Sequence, residues 1–73
     1  MIRYDVSYIT ADPRYNSLLM PKHYSSNKEA ITKEEEYVRE TNPKRSAATK
    51  IIGITIYRYD SSKQHWKTIY TRK

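Results

Sequence analysis

Apolar and polar residues alternate from Ile2 to Ile9, with Ile2, Tyr4, Val6 and Tyr8 on one side and Arg3, Asp5 and Ser7 on the other. A period of two belongs to a half-buried strand, whose successive side chains point to opposite faces of a sheet. The pattern predicts a strand over residues 2–9. Ala11-Asp12-Pro13-Arg14-Tyr15-Asn16 interrupts it, because Pro13 presets φ at the second position of a turn and the Asp and Asn side chains bond to nearby backbone. A further, optional strand is predicted over 17–24, opening on Ser17-Leu18-Leu19-Met20. Pro21 has no N–H for a ladder, which confines that strand to an edge.

The period changes after Ser26. Ser26-Asn27-Lys28-Glu29 reads as a capping box, with the serine oxygen accepting a backbone N–H and Glu29 reaching back from the third helical position. Ala30, Ile31, Tyr37 and Val38 follow on one helical stripe, while Lys33, Glu34, Glu35, Glu36, Arg39 and Glu40 are predicted mostly to face water. Asn42-Pro43 ends the helix, since the residue before a proline avoids the α region. Pro43 to Lys50 then reads as a short basic connecting loop, with a helical turn of its small residues as the alternative.

Ile51 to Tyr59 is dense in β-branched and aromatic residues, the composition that fits a pleated, half-buried surface. Asp60-Ser61-Ser62-Lys63 turns the chain, and Gln64 to Arg72 returns as a second strand. Pairing at positions that sum to 123 sets Tyr57 opposite Trp66, Thr55 opposite Thr68, Gly53 opposite Tyr70 and Ile54 opposite Ile69. Ile52, Ile54, Ile56 and Ile69 then form an aliphatic face. Tyr57, Tyr59, Trp66 and Tyr70 form an aromatic one, with Tyr70 lying across the bare backbone of Gly53. The expected fold is α+β: a small antiparallel sheet of three or four strands with one helix packed on its aliphatic face, in the order β-(β)-α-β-β. No repeat or low-complexity tract divides residues 1–73, which read as one small domain.

Composition narrows the function. In 73 residues there is no Cys, no Phe and one Gly, so disulfides, thiolate metal sites and glycine-rich phosphate loops are all excluded. His23 and His65 stand 42 positions apart with no carboxylate cluster between them, too few ligands for zinc. No apolar run reaches 18 residues, and Met1-Ile2-Arg3-Tyr4-Asp5 is charged where a signal peptide is apolar. The chain is therefore read as cytoplasmic, with no membrane partner and no cofactor. Size scaling allows roughly 7,900 Å² of burial, little enough that a homodimer is compatible with the composition.

Charge is distributed unevenly: +1 over residues 1–27, −2 over 28–40 and +7 over 41–73, for a net +6. The basic excess sits on the connector and hairpin, at Lys44, Arg45, Lys50, Arg58, Lys63, Lys67, Arg72 and Lys73. Cations interleaved with Tyr57, Tyr59, Trp66 and Tyr70 combine phosphate-seeking charge with stacking surfaces, the pairing used to bind single-stranded nucleic acid. The expected function is thus a non-enzymatic basic module contacting nucleic acid or a nucleoprotein through this hairpin and connector. Tyr57, Arg58, His65, Tyr70 and Arg72 also contain the side-chain types a small ribonuclease needs, although no spacing in the sequence joins them as a catalytic set. The alternative function is an inhibitor or adaptor docking on a host protein, since tiny Cys-free sheets with one helix are common among accessory proteins of phages and mobile elements.

Overall fold

The alternating N-terminal segment becomes an inner strand of a four-stranded sheet. A computed structural model describes residues 1–17 and 19–73. In chain order it contains β1 (Ile2–Thr10), β2 (Met20–Tyr24), α1 (Asn27–Thr41), β3 (Ile51–Asp60) and β4 (His65–Arg72). All neighbouring strands are antiparallel, in the order β2-β1-β3-β4, and the expected α+β architecture with one helix on one face is what forms. β2 is an edge strand, as Pro21 requires. It pairs Pro21 with Asp5, and Leu18, placed by sequence at the start of this strand, lies outside the described residues.

Tyr4, Val6 and Tyr8 of β1 and Ile54 and Ile56 of β3 form the core with Ala30 and Val38 of α1 and with Ile51. In a chain without Phe, tyrosines fill the space that larger apolar side chains fill elsewhere. Burial is by far the largest favourable contribution from these side chains.

α1 starts where predicted. Ser26 caps it by accepting from the backbone N–H of Glu29 at 3.1 Å, while the Glu29 carboxylate accepts from the Ser25 hydroxyl. At the other end Asn42 bridges helix to sheet: its side-chain amide donates to the carbonyl of Ile51 at 3.0 Å and its Oδ1 accepts the Ile51 N–H at 2.9 Å. The connector is not an open loop but two 3-10 turns, Asn42–Lys44 and Ala47–Thr49. Its small residues let the backbone wind without crowding.

Three expectations about side-chain direction change. Glu34, expected in water, is 1% exposed, and it accepts hydrogen bonds from the phenols of Tyr8 and Tyr24 with Lys22 Nζ at 3.7 Å. Tyr37, expected in the core stripe, is exposed and stacks on Tyr8 with ring centroids 5.6 Å apart. Ile52 is 51% exposed, because β1 pairs Ile9 with Gly53 and Thr10 with Ile51. Ile52 is thus an extra residue that bulges out of the ladder and puts Ile51 in the core in its place.

The hairpin register also differs from expectation. Asp60 remains in the ladder opposite His65, so Tyr59 rather than Tyr57 faces Trp66, and Tyr57 faces Thr68. Asp60 Oδ1 accepts from the backbone N–H and hydroxyl of Ser62 and from the N–H of Lys63, which organises the four-residue loop Ser61 to Gln64. A second bulge follows. Ile56 pairs with Tyr70 and Tyr57 with Thr68, leaving Ile69 as the extra residue.

The molecule measures 41 × 21 × 17 Å, and its accessible surface of 5044 Å² exceeds the roughly 4,700 Å² typical of this size. The first helical residue, Asn27, accepts a hydrogen bond from Arg58, and the far end of the helix meets Ile51. The β3–β4 hairpin therefore runs past the helix start as an arm.

Candidate nucleic-acid interface

Each bulge in a strand exchanges the faces of the residues beyond it. Ile69 does this to β4. Trp66 stays with Tyr57 and Tyr59 on the face away from the helix, whereas Tyr70 and Arg72, expected beside them, move to the helix face. There the Tyr70 phenol and the Arg72 guanidinium both bond to Glu35, with Arg72 Nε at 2.6 Å from Oε2 and Nη2 at 2.8 Å from Oε1. Arg72 and, less strongly, Tyr70 hold the Glu35 carboxyl below its ordinary value, against a smaller upward push from burial. These two residues fasten β4 to α1. Gly53 likewise does not support Tyr70: a Cβ there would meet the carbonyl oxygen of Arg72 at 3.0 Å and Cδ1 of Ile9 at 3.4 Å.

Open-face aromatics form a contiguous set. The rings of Tyr59 and Trp66 lie 5.0 Å apart and tilted by 55°, and the Arg3 guanidinium stands 5.3 Å from the Trp66 ring centre. Trp66 is 39% exposed, so it is not the centre of the core.

Around the arm, on the helix side of the sheet, lies a concave trough of about 940 Å³. Arg58, Lys63 and Lys67 line it together with His65 and Asn27, and Arg3, whose guanidinium stands over Trp66 on the open face, borders it. Asp60 is the acid among its walls. Hydrogen bonds from Ser62 are the chief cause of its lowered carboxyl pKa, and the Lys63 ammonium adds to them. Arg58 is held in place by its bond to Asn27 Oδ1 at 3.0 Å, an oxygen that also accepts the Tyr4 phenol at 2.8 Å. Lys63 and Lys67 come from the loop and the outer strand.

The connector cations are not part of this surface. Lys50 precedes β3 and Lys63 follows it, so ten residues of strand separate them, about 30 Å at the usual rise. Lys50 Nζ donates to the carbonyl of Asn42 at 2.8 Å and Arg45 donates to the Tyr37 phenol at 3.1 Å, while Lys44 is exposed. The candidate residues thus fall into three groups: Lys44, Arg45 and Lys50 at the helix C-terminus, Tyr70 and Arg72 under Glu35, and Tyr57, Arg58, Tyr59, Lys63, Trp66 and Lys67 on the arm. Tyr57 is also separated by the sheet from Tyr70 and Arg72.

Arg3, Asn27 and Asp5 escaped the sequence reading as site residues. Arg3 and Asp5 carried a signal in their i, i+2 spacing on the polar side of β1. Which strand they would lie against was not encoded locally.

No family model, curated protein or solved structure matches the chain. The site is accordingly read from its own geometry. Among the described residues no helix is long and apolar enough to cross a membrane.

Proposed function

We propose that this chain is a nucleic-acid-binding module that grips a single strand with its hairpin arm. The observation carrying this reading is the trough lined by Arg58, Lys63 and Lys67 on one side of the arm, with the exposed Trp66–Tyr59 pair and the Arg3 guanidinium beside it on the other. Cations along a groove follow a phosphate backbone and release its counterions, and flat aromatic side chains accept unstacked bases. At net +6 the whole molecule adds long-range attraction for such a backbone.

The test is anisotropy of labelled single- and double-stranded oligonucleotides at ~50 and ~200 mM salt, recorded together with the fluorescence of Trp66, the sole tryptophan. Binding that weakens steeply with salt and quenches Trp66 supports the reading. Absence of binding at the lower salt overturns it, and pull-down of a protein partner would then support the docking alternative.

A further inference from the structure

Arg58 of β3 and Lys67 of β4 stand directly opposite each other, and both line the trough. Side chains paired in this way share one face of the sheet with Cβ atoms about 5 Å apart, and like charges there are destabilising. No acid relieves this pair. Among the described residues the ion pairs are made by Arg3, Arg14, Lys22 and Arg72, and neither Arg58 nor Lys67 takes part. The acids of this region are engaged elsewhere: Asp60 accepts from Ser62 and Lys63, and Glu29 of the first helical turn accepts from Ser25. Arg58 is also fixed. Its Nη1 donates to Asn27 Oδ1 at 3.0 Å, which occupies one of the five guanidinium N–H donors and leaves the others for a further acceptor.

Place in the fold gives the pair its meaning. α1 packs over β1 and β3 on this same face through Ala30 and Val38, and it begins at Asn27, itself a wall of the trough. A strand lying along this side of the arm therefore runs into the helix and can follow the face no farther. Arg58 bonds to that wall with Lys67 across from it, so the two cations sit where the path stops, whereas Lys63 belongs to the loop at the other end of the arm. An internal phosphodiester carries one negative charge. A terminal phosphomonoester carries about −1.5 to −2 at neutral pH and presents three strong acceptor oxygens, the better match for two adjacent, uncompensated cations.

We infer that the helix end of the trough receives a terminal phosphate of the bound strand, held between Arg58 and Lys67. A guanidinium and an ammonium are the donors that such a group accepts most strongly. The inference rests on the nucleic-acid reading above and adds to it a preference for phosphorylated ends, which stacking on Trp66 and long-range charge do not supply. The 5′ and 3′ ends offer the same phosphomonoester chemistry, and the experiment separates them.

The test uses thymidine oligomers about ten nucleotides long, labelled on an internal base so that both ends are free. They carry a 5′-phosphate, a 3′-phosphate or hydroxyls at both ends, and anisotropy is read at ~50 mM salt. A phosphate at the end that enters the trough is expected to tighten binding roughly tenfold over the hydroxyl form. Lys67 is exposed, and Lys67→Gln is expected to remove most of that gain with its circular dichroism and thermal midpoint unchanged. Lys44→Gln, which lowers the net charge equally at the far end of β3, is expected to keep it. Equal affinity for all three oligomers, a gain that survives in Lys67→Gln, or a gain that Lys44→Gln removes as fully overturns the end site while leaving salt-dependent binding by the arm intact. Failure of every oligomer to bind at this salt overturns both readings.

Discussion

Tyr8 of β1 donates its phenolic hydrogen to Glu34 of α1, 26 positions away, and the second carboxylate oxygen of Glu34 takes the hydrogen of Tyr24. One buried acid thereby ties the helix to the central strand and to the edge strand. Glu34→Ala leaves the buried Tyr8 phenol and the part-buried Tyr24 phenol without their acceptor, and the expected loss is about 2–4 kcal/mol. Glu34→Gln keeps an acceptor for one of them and is expected to lose about half as much. Replacing the whole cluster, with Tyr8→Phe and Tyr24→Phe added to Glu34→Leu, should recover much of the stability because no polar group remains stranded. Urea denaturation of the three proteins checks this order; an alanine variant as stable as the parent would refute the bridging role.

The same tyrosines set an alkaline limit. Burial, and then the bond to Glu34, push the Tyr8 and Tyr24 phenols well above the ordinary value of 10.0. Glu35 raises Tyr70 in the same direction. Their folded pKa values exceed the unfolded ones, so this contribution is complete below pH 10 and is lost as the pH rises beyond it. Each such group removes up to about 1.4 kcal/mol per pH unit. Tyrosinate absorbance from these residues should appear together with unfolding near or above pH 11, followed by circular dichroism in parallel. Full ionisation of all eight tyrosines in a protein still folded would contradict this.

Acid acts on the other pair. Glu35 is held below its ordinary value of 4.5 chiefly by Arg72, so its contribution is present above that value and disappears as the pH falls through the lowered one. Both side chains are partly exposed, which limits the effect to about 1 kcal/mol. Stability measured between pH 6 and 3 should fall less in Glu35→Gln than in the parent, and amide exchange in β4 should quicken in the variant at neutral pH.

At Gly53, β3 leaves no room for a side chain against β4. An added Cβ sits 3.0 Å from the Arg72 carbonyl oxygen, a backbone atom that cannot swing aside. Gly53→Ala is expected to cost about 1–3 kcal/mol by overpacking, visible as a lower urea midpoint. An unchanged midpoint would mean that the strands separate there without penalty.

The separation of the arm from the connector makes a functional prediction. Lys63→Glu should weaken oligonucleotide binding strongly and flatten its dependence on log salt by about one unit. Lys44→Glu changes the net charge by two at the opposite end of β3, and its effect should be confined to a small, long-range loss. Equal damage from both substitutions would show that overall charge, not the trough, drives binding.

Much of the architecture was legible in local pattern. Alternation from Ile2 to Ile9, the Ser26 cap with Asn42-Pro43 as its stop, and the β-branched run after Lys50 each specify an element through forces acting within a few residues. Pro21 even assigned its strand to an edge. The site was legible only in part, since the composition pointed to the hairpin while the faces of its residues were undetermined. Ile52 and Ile69 look like their neighbours in sequence, and only pairing with a specific partner strand decides which of them is left out of the ladder. That choice sends Tyr70 and Arg72 to Glu35, keeps Trp66 beside Tyr59 and draws Arg3 and Asp5 of β1 up to the aromatic face. Glu34 shows the same limit: on the helix alone it is one acid in a charged run, and burial between two tyrosines from distant strands is what makes it structural. Local sequence fixes elements because backbone sterics and side-chain periodicity act at short range. Register, bulges and the partners of buried polar groups depend on contacts between segments far apart in the chain, and those exist only once it has folded.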